Sequence, residues 1–163
     1  MTERTCGECY RCCVVFGIRE LKKHQDQSCR HLDGRNPTAR CSIYANRPKA
    51  CQAYLCLWRD GEFDEDDRPD KSGIIARVDR LDSEKIQLVV TLDDETSIQV
   101  KGLPDTSDET LRRVQEWAAD KPIHQILYRF VGTNQMAIAA RDGGTAQFTY
   151  IPVDYEGLQV VKV

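Results

Sequence analysis

Short runs rich in Ile and Val, separated by charged or glycine-containing segments, recur along the last two-thirds of the chain. Such runs are typical of β-strands bounded by turns, and Asp142-Gly143-Gly144 is a strong turn signal between two of them. One stretch differs, because Leu111, Val114, Trp117 and Ala118 fall on one face of a helix. The pattern predicts an α+β fold with a mostly antiparallel sheet and one or more helices, with strands at 74–78, 85–92, 96–100, 125–131, 136–141, 147–153 and 158–163.

Local signals predict where helices and turns begin. Thr106 and Glu109 have the spacing of a capping box ahead of the helix, and Ser107 is a second cap candidate. Pro48 suits the first position of a second helix over residues 48–58. Residues 14–18 fit either a strand or the start of a helix, and Asn36-Pro37 indicates a turn.

The first 59 residues predict a small cysteine-rich lobe with short helices. Residues 60–70 hold seven acidic side chains among eleven, without the glycine and glutamate positions of a calcium-binding EF-hand, which predicts a solvated linker. We therefore expect a metal-stabilised lobe at 1–59, an acidic linker at 60–71 and an α+β lobe at 72–163 packed on the first. A single continuous domain is the alternative.

The charge of the 163-residue chain is uneven. Residues 1–59 carry eleven Lys and Arg against five Asp and Glu, a balance of +6, whereas residues 60–163 carry twelve against twenty-one, a balance of −9, which together give the net −3. This balance gives no case for nucleic-acid binding. The basic excess of residues 1–59 either offsets the negative charge of thiolates or forms a basic surface for an acidic partner. The sequence does not decide whether the chain has a protein partner.

The chain shows no membrane signal. It begins without an apolar leader, and no apolar segment approaches the roughly 18 residues that span a bilayer. We expect a cytoplasmic protein, without a membrane partner. Disulfides are usually reduced in that compartment, so the cysteines indicate metal rather than crosslinks.

All eight cysteines lie within the first 56 residues, and two-residue gaps let one short loop direct several sulfurs at one point. Four-sulfur sets would give two four-thiolate sites. Cys12 and Cys13 then serve different metals or different edges of one cluster. The sequence has neither the complete ferredoxin motif nor the second knuckle of a zinc ribbon. The predicted metal ligands are Cys6, Cys9, Cys12, Cys13, Cys29, Cys41, Cys51 and Cys56.

Cys51 and Cys56 lie five positions apart on the predicted helix. At roughly 100° per residue, five steps make one full turn plus about 140°, so the two side chains lie about 140° apart around the helix axis. They do not share a face unless the helix ends or bends between them. At least one is expected to serve a different site or to lie in an unwound last turn.

The spacing of these cysteines, with Tyr44, Arg47-Pro48 and Tyr54 between them, resembles the CxxCxxCC family of zinc- or iron-chelating cysteine-cluster proteins. The match covers residues 6–56. That family is mostly bacterial and includes flagellin lysine N-methylases. The resemblance implies metal binding by the eight matching cysteines. It does not extend to methyl transfer, because residues 60–163 hold no glycine-rich nucleotide loop after a strand.

The leading hypothesis is a metal-binding protein whose zinc or iron–sulfur centre is mainly structural or serves partner binding. One alternative is an iron–sulfur redox protein or enzyme, for which no catalytic residue can be named. Another is a metal chaperone or sensor, with an affinity tuned by Arg11, Arg30 and Arg40.

Other residues of the cysteine lobe are expected either to support the metal ligands or to pack in the lobe. Arg47 is a candidate donor to sulfurs or backbone oxygens. Tyr44 and Tyr54 either shield the metal or only pack, and Trp58 closes the second helix against the core. His24 and His31 are alternative ligands that could replace a cysteine, but eight cysteines already fill two sites, so both are interpreted as surface or packing residues. His124 is far from the cysteines in the sequence and is interpreted as structural or exposed.

Overall fold

The computed structural model describes residues 4–33, 40–92, 98–99, 103–104, 108–133, 135–153 and 157–161. The chain divides into two compact units. The first comprises Met1–Gly73 with Pro152–Leu158, and the second comprises Ile74–Ile151 with Gln159–Val163. All eight cysteines belong to the first unit.

The first unit is built from short helical segments. Its α-helices are α1 (Arg11–Val15), α2 (Lys49–Ala53) and α3 (Pro69–Ser72), and 3₁₀ turns lie at Arg19–Leu21, Tyr44–Asn46 and Glu65–Asp67. In the stretch 14–18, predicted as a strand or the start of a helix, the first two residues end α1, Phe16 is extended, and Ile18 forms an isolated antiparallel bridge with Lys23. The predicted turn at Asn36-Pro37 lies outside the described residues.

The helix predicted over residues 48–58 is much shorter in the structure. Pro48 is the residue before α2, and the helix ends at Ala53 because Tyr54 is extended, with φ −74° and ψ 120°. Tyr54 packs on Phe16 with the ring centres 4.9 Å apart, and its carbonyl accepts a hydrogen bond from the Arg59 side chain at 3.0 Å. These tertiary contacts hold the chain in its extended form, against its local helix propensity.

The acidic segment predicted as a linker has hydrogen-bonded structure of its own in the first unit. Asp64 and Asp67 form a reciprocal capping box around a 3₁₀ turn, and Asp67 is buried. The Arg4 side chain donates to the Phe63 carbonyl at 2.6 Å. The segment then forms α3, which ends at Gly73 with a φ of 74°, a conformation that favours glycine.

The elements after α3 are β1 (Ile75–Arg80), β2 (Ile86–Leu92), β3 (Ile98–Gln99), β4 (Leu103–Pro104), α4 (Glu109–Ala119), β5 (Gln125–Phe130), β6 (Gln135–Ala140), β7 (Thr145–Val153) and β8 (Gly157–Val161). The second unit contains most of a six-stranded sheet of order β1-β2-β5-β6-β7-β8. Neighbours β1–β2, β5–β6 and β6–β7 are antiparallel, whereas β2 and β5 are parallel. A separate two-stranded sheet pairs β3 with β4. This arrangement confirms the predicted α+β class.

The cap of α4 differs from the prediction. Asp108 is the N-cap, and its side chain accepts a hydrogen bond from the Leu111 N–H at 2.8 Å. The predicted cap residues Thr106 and Ser107 lie outside the described residues. Asp108 supplies the same chemistry from a position closer to the helix, a side-chain oxygen that accepts from the first turn.

Hydrophobic burial is concentrated in the second unit. Of the eighteen buried hydrophobic side chains in the described part of the chain, fifteen lie between Ile74 and Ala137, and Leu88, Val90, Leu92 and Leu111 are among the most deeply buried. In the first unit these side chains are Val15, Leu57 and Trp58. The second unit therefore has an ordinary apolar core, whereas the first buries little apolar surface.

Candidate metal centre

The first cysteines lie on a tight turn that leads into α1. The Cys9 N–H donates to the Cys6 carbonyl at 2.8 Å, and Gly7 between them has a φ of +52°, which favours glycine. The Cys13 N–H donates to the Tyr10 carbonyl at 2.8 Å as α1 begins. The sequence Cys-x2-Cys-x2-Cys-Cys thus becomes one turn followed by one turn of helix.

A second set of backbone hydrogen bonds brings Cys29 and Cys41 to α1. The Cys29 N–H donates to the Cys13 carbonyl at 2.9 Å. Leu32 and Cys41 form an antiparallel bridge, and the Ser42 N–H donates to the His31 carbonyl at 2.8 Å. Cysteines from three separate stretches of the sequence are therefore held near one another.

All eight cysteines are reduced and half-buried. Cys12 and Cys13 form the nearest pair, through a hydrogen bond between their side chains that lowers the pKa of Cys13 to about 7 and raises that of Cys12 well above its usual value. In the ranges that the structure describes, no group of three or more His, Cys, Asp or Glu side chains is already arranged to hold a metal ion.

The thiols nevertheless lie in two neighbourhoods, which we call the first group (Cys6, Cys9, Cys12 and Cys56) and the second group (Cys13, Cys29, Cys41 and Cys51). In the first group, negative charge on Cys6 and Cys9 adds to the effects of the Cys13 hydrogen bond and burial in raising the pKa of Cys12. Burial raises the pKa of Cys9 to about 12, and the charge of Cys56 contributes. Burial also raises the pKa of Cys56, and the charge of Cys6 contributes.

The second group shows the same mutual influence. Burial raises the pKa of Cys51 to about 11, and negative charge on Cys13, Cys29 and Cys41 contributes. Burial also raises the pKa of Cys41, with further contributions from the charges of Cys13 and Cys29. The adjacent residues Cys12 and Cys13 are where the two groups meet.

Backbone N–H groups donate hydrogen bonds to three of these sulfurs. Cys9 accepts from Arg11 and Asp70, Cys41 from Ile43, and Cys56 from Arg59. Each bond favours the thiolate and so opposes the burial that raises the pKa of its cysteine. Donors of this kind orient and stabilise thiolate ligands in metal sites.

Lys23 places a buried positive charge beside the second group. Its ammonium donates to the carbonyls of Phe16 and, at 3.3 Å, His24. Burial lowers the pKa of Lys23, and negative charge on Cys29 and Cys13 opposes that shift. The sequence did not identify Lys23, because the stretch Lys22-Lys23-His24 looks like a solvated surface; only the basic excess of residues 1–59 was a signal.

Arg47 and Tyr44 lie beside the cysteines as the sequence indicated. Arg47 donates to the Tyr44 carbonyl at 2.8 Å and lies 4.0 Å from the centre of its ring, which confirms the prediction that Arg47 hydrogen-bonds a backbone oxygen. Burial raises the pKa of Tyr44, and the hydroxyl also hydrogen-bonds Cys6. Trp58 is buried just after α2, with the Arg4 guanidinium 5.3 Å from its ring centre.

The acidic segment reaches Cys9 through Asp70. Arg68 fixes this contact, because it donates to Asp70 and Glu65, each at 2.7 Å, and pairs with Glu8 at 3.5 Å. Glu8 itself lies next to Cys9 in the sequence. The sequence gives no sign of these contacts, because a run rich in acidic side chains has the composition of a solvated linker whether or not an arginine binds it.

The remaining candidates take structural or surface positions. His24 is exposed, the His31 carbonyl takes part in the bridge to Ser42, and Nδ1 of His124 accepts the Ile86 N–H at 3.3 Å in the second unit. Two of the arginines that the metal-chaperone alternative invoked contact a backbone carbonyl or an aromatic ring. Arg30 is exposed and donates to the Leu21 carbonyl at 3.3 Å, and Arg40 lies 5.6 Å from the ring centre of Tyr10.

Comparison with known proteins gives no identification. No protein-family model matches the chain, and neither a curated protein nor a solved structure matches it. None of the helices in the described residues has the length and apolar character needed to cross a membrane. The resemblance to the CxxCxxCC family, the metal, a partner and the cytoplasmic compartment stay predictions.

Proposed function

We propose that this protein binds zinc or an iron–sulfur centre through its eight cysteines, and that the metal mainly stabilises the first unit and prepares it for partner binding. The observation that carries the proposal is the gathering of all eight thiols, each half-buried, in one unit. Metal sites with sulfur ligands are typically built from four thiolates each, so eight gathered thiols match two such sites.

The donor set fits the proposed metals. Thiolates are soft ligands that select zinc and iron–sulfur centres over magnesium or calcium. Backbone N–H groups already donate to Cys9, Cys41 and Cys56, and Lys23 brings positive charge to the second group. These groups offset the negative charge that thiolate ligands bring into a half-buried site.

A structural role follows from the apolar burial of the first unit. Val15, Leu57 and Trp58 are its buried hydrophobic side chains among the described residues, and Pro69 is also buried. Small domains with so little core usually need disulfides or metal to fold. Since the cysteines are reduced, metal is the stabiliser that the chemistry of this unit favours.

The test is the metal and acid-labile sulfide content of the full chain, purified without oxygen, together with its absorption spectrum. Zinc without sulfide supports a structural metal, whereas iron with matching sulfide supports the iron–sulfur form. Protein that contains no metal, and also takes up neither zinc nor iron under reducing conditions, contradicts the proposal. A matched Ser28→Ala variant, which changes an exposed residue beside Cys29, should retain the full metal content.

A further inference from the structure

The eight cysteines belong to three parts of the first unit that the backbone joins in a specific way. The turn and helix from Cys6 to Cys13 lie at the centre. The Cys29 N–H donates to the Cys13 carbonyl of α1 at 2.9 Å, and Cys41 pairs with Leu32 in an isolated antiparallel bridge. This contact brings the middle cysteines to Cys13.

The last two cysteines lie on different sides of the end of α2. Cys51 lies within α2, whereas Cys56 follows the extended residue Tyr54. The end of this segment returns to the start of the chain, because the Arg4 N–H donates to the Arg59 carbonyl at 2.8 Å and the Arg59 side chain donates to the Arg4 carbonyl at 3.1 Å. Cys56 is thereby drawn towards Cys6, two residues after Arg4.

Cys12 and Cys13 connect these two neighbourhoods. Successive helical residues point about 100° apart around the axis, so neighbours in α1 can serve different sites even though their side chains touch. Cys12 has Cys6 and Cys9 as further neighbours, whereas Cys13 has Cys41 and Cys51.

From this arrangement we propose that the cysteines form two separate four-thiolate metal sites, Cys6/Cys9/Cys12/Cys56 and Cys13/Cys29/Cys41/Cys51. This inference rests on the proposed function, and it assigns the ligands of each site. Four thiolates satisfy the tetrahedral preference of zinc and leave no open position. Half-buried side chains on turns and short helices have room to change rotamer and converge when the metal binds.

The two sites also differ in their surroundings. Lys23 brings a buried positive charge that interacts most with Cys29 and Cys13 of the second group, and less with Cys12 of the first. The first group instead contacts the Asp70 N–H at Cys9 and the Tyr44 hydroxyl at Cys6. We therefore expect the sites to fill in sequence rather than together when metal is limiting.

Cobalt(II) titration of cysteine-to-serine pairs tests the ligand assignment, because tetrahedral cobalt–thiolate centres absorb visible light. The full chain should bind two cobalt ions. The pair Cys9→Ser with Cys56→Ser should lose one ion and keep the other, as should Cys41→Ser with Cys51→Ser. The mixed pair Cys56→Ser with Cys51→Ser should lose both four-thiolate centres.

The result that overturns the assignment is a same-group pair that loses both centres, or a mixed pair that keeps one. One shared polynuclear cluster would be seen as the loss of all four-thiolate absorption on any single substitution. Failure of the full chain to bind cobalt would instead contradict metal binding itself, so the two proposals fail in different ways.

Thiol protection in the unmodified chain provides a second measurement that does not depend on the folding of variants. The chain is loaded with one equivalent of zinc, alkylated without oxygen, and its modified cysteines are located by peptide fragmentation. The four protected cysteines should be one complete group. Protection of Cys9 together with Cys41, or of Cys56 together with Cys51, while the other members of both groups stay reactive would overturn the assignment.

Discussion

Metal removal is expected to unfold the first unit and leave the second unit folded. A structural zinc ion contributes roughly 10–16 kcal/mol of apparent binding free energy to small zinc-dependent folds. The net stability of an ordinary domain is only about 5–15 kcal/mol. The loss of even one centre is therefore comparable with the whole stability expected here, in a unit whose buried hydrophobic side chains are Val15, Leu57 and Trp58 among the described residues.

The two tryptophans give a separate reporter for each unit. Trp58 is buried in the first unit, and Trp117 lies half-buried on α4 in the second. The Trp117→Phe variant isolates the Trp58 fluorescence, and the Trp58→Phe variant isolates that of Trp117. A chelator should shift the Trp58 emission to the red and increase protease cleavage within residues 4–73. It should leave the Trp117 emission unchanged.

The refuting result is equally specific. If elemental analysis shows that the metal has been removed while the Trp58 emission and the protease resistance of residues 4–73 stay the same, the metal is not structural. If Trp117 responds as strongly as Trp58, the two units do not unfold independently. Re-addition of zinc under reducing conditions is the control, and it should restore the original Trp58 emission.

Three further predictions concern pH, Lys23 and α4. Burial raises the pKa of Cys9 to about 12 and of Cys51 to about 11, from 9.0, so these metal-free thiols hold their protons at neutral pH. Zinc binding should release protons, and its affinity should increase as pH rises from about 6 to 8. Calorimetry in two buffers of different ionisation enthalpy measures the released protons, and a pH-independent affinity would contradict this prediction. Lys23→Met should weaken metal binding roughly tenfold or more, as the loss of groups that support metal ligands typically does, because it removes the positive charge that offsets negative charge on Cys29 and Cys13. The exposed Lys49→Met is the control, and equal affinities would refute the role of Lys23. Asp108→Ala should lower the unfolding free energy of the second unit by about 1 kcal/mol through loss of the helix cap, measured by denaturation followed through Trp117, and an unchanged midpoint would argue against the cap.

The sheet of the second unit was readable from the sequence because its signals are local. Runs of Ile and Val mark strands, and Asp142-Gly143-Gly144 forms the predicted turn, with Gly143 at a φ of +91° and the Ala140 N–H donating to the Gly144 carbonyl at 2.7 Å. The short strand β4 was missed because Leu103-Pro104 offers only two residues and a proline cannot donate to a partner strand.

The errors in the first unit arise where long-range contacts decide the structure. Nothing between Pro48 and Trp58 forbids a longer helix, but the contacts of Tyr54 with Phe16 and Arg59 end it at Ala53. The burial of Lys23 also depends on tertiary structure, because its ammonium donates to the Phe16 and His24 carbonyls on either side of the Ile18–Lys23 bridge.

The cysteine spacing predicted that all the sulfurs lie in one lobe, but it did not indicate which cysteines are neighbours. Their sorting into two groups depends on the Cys29–Cys13 and Arg4–Arg59 backbone hydrogen bonds. Both join residues that are far apart in the sequence, so no local pattern could have revealed them.

X-ray absorption at the metal edge of the purified full chain tests the central claim most directly, because it reports which atoms surround the metal. The account predicts four sulfur neighbours per metal, at about 2.3 Å for zinc, with no nitrogen or oxygen in the first coordination shell. A shell that contains nitrogen or oxygen at about 2.0–2.1 Å would contradict it, because ligands other than the eight cysteines would then hold the metal.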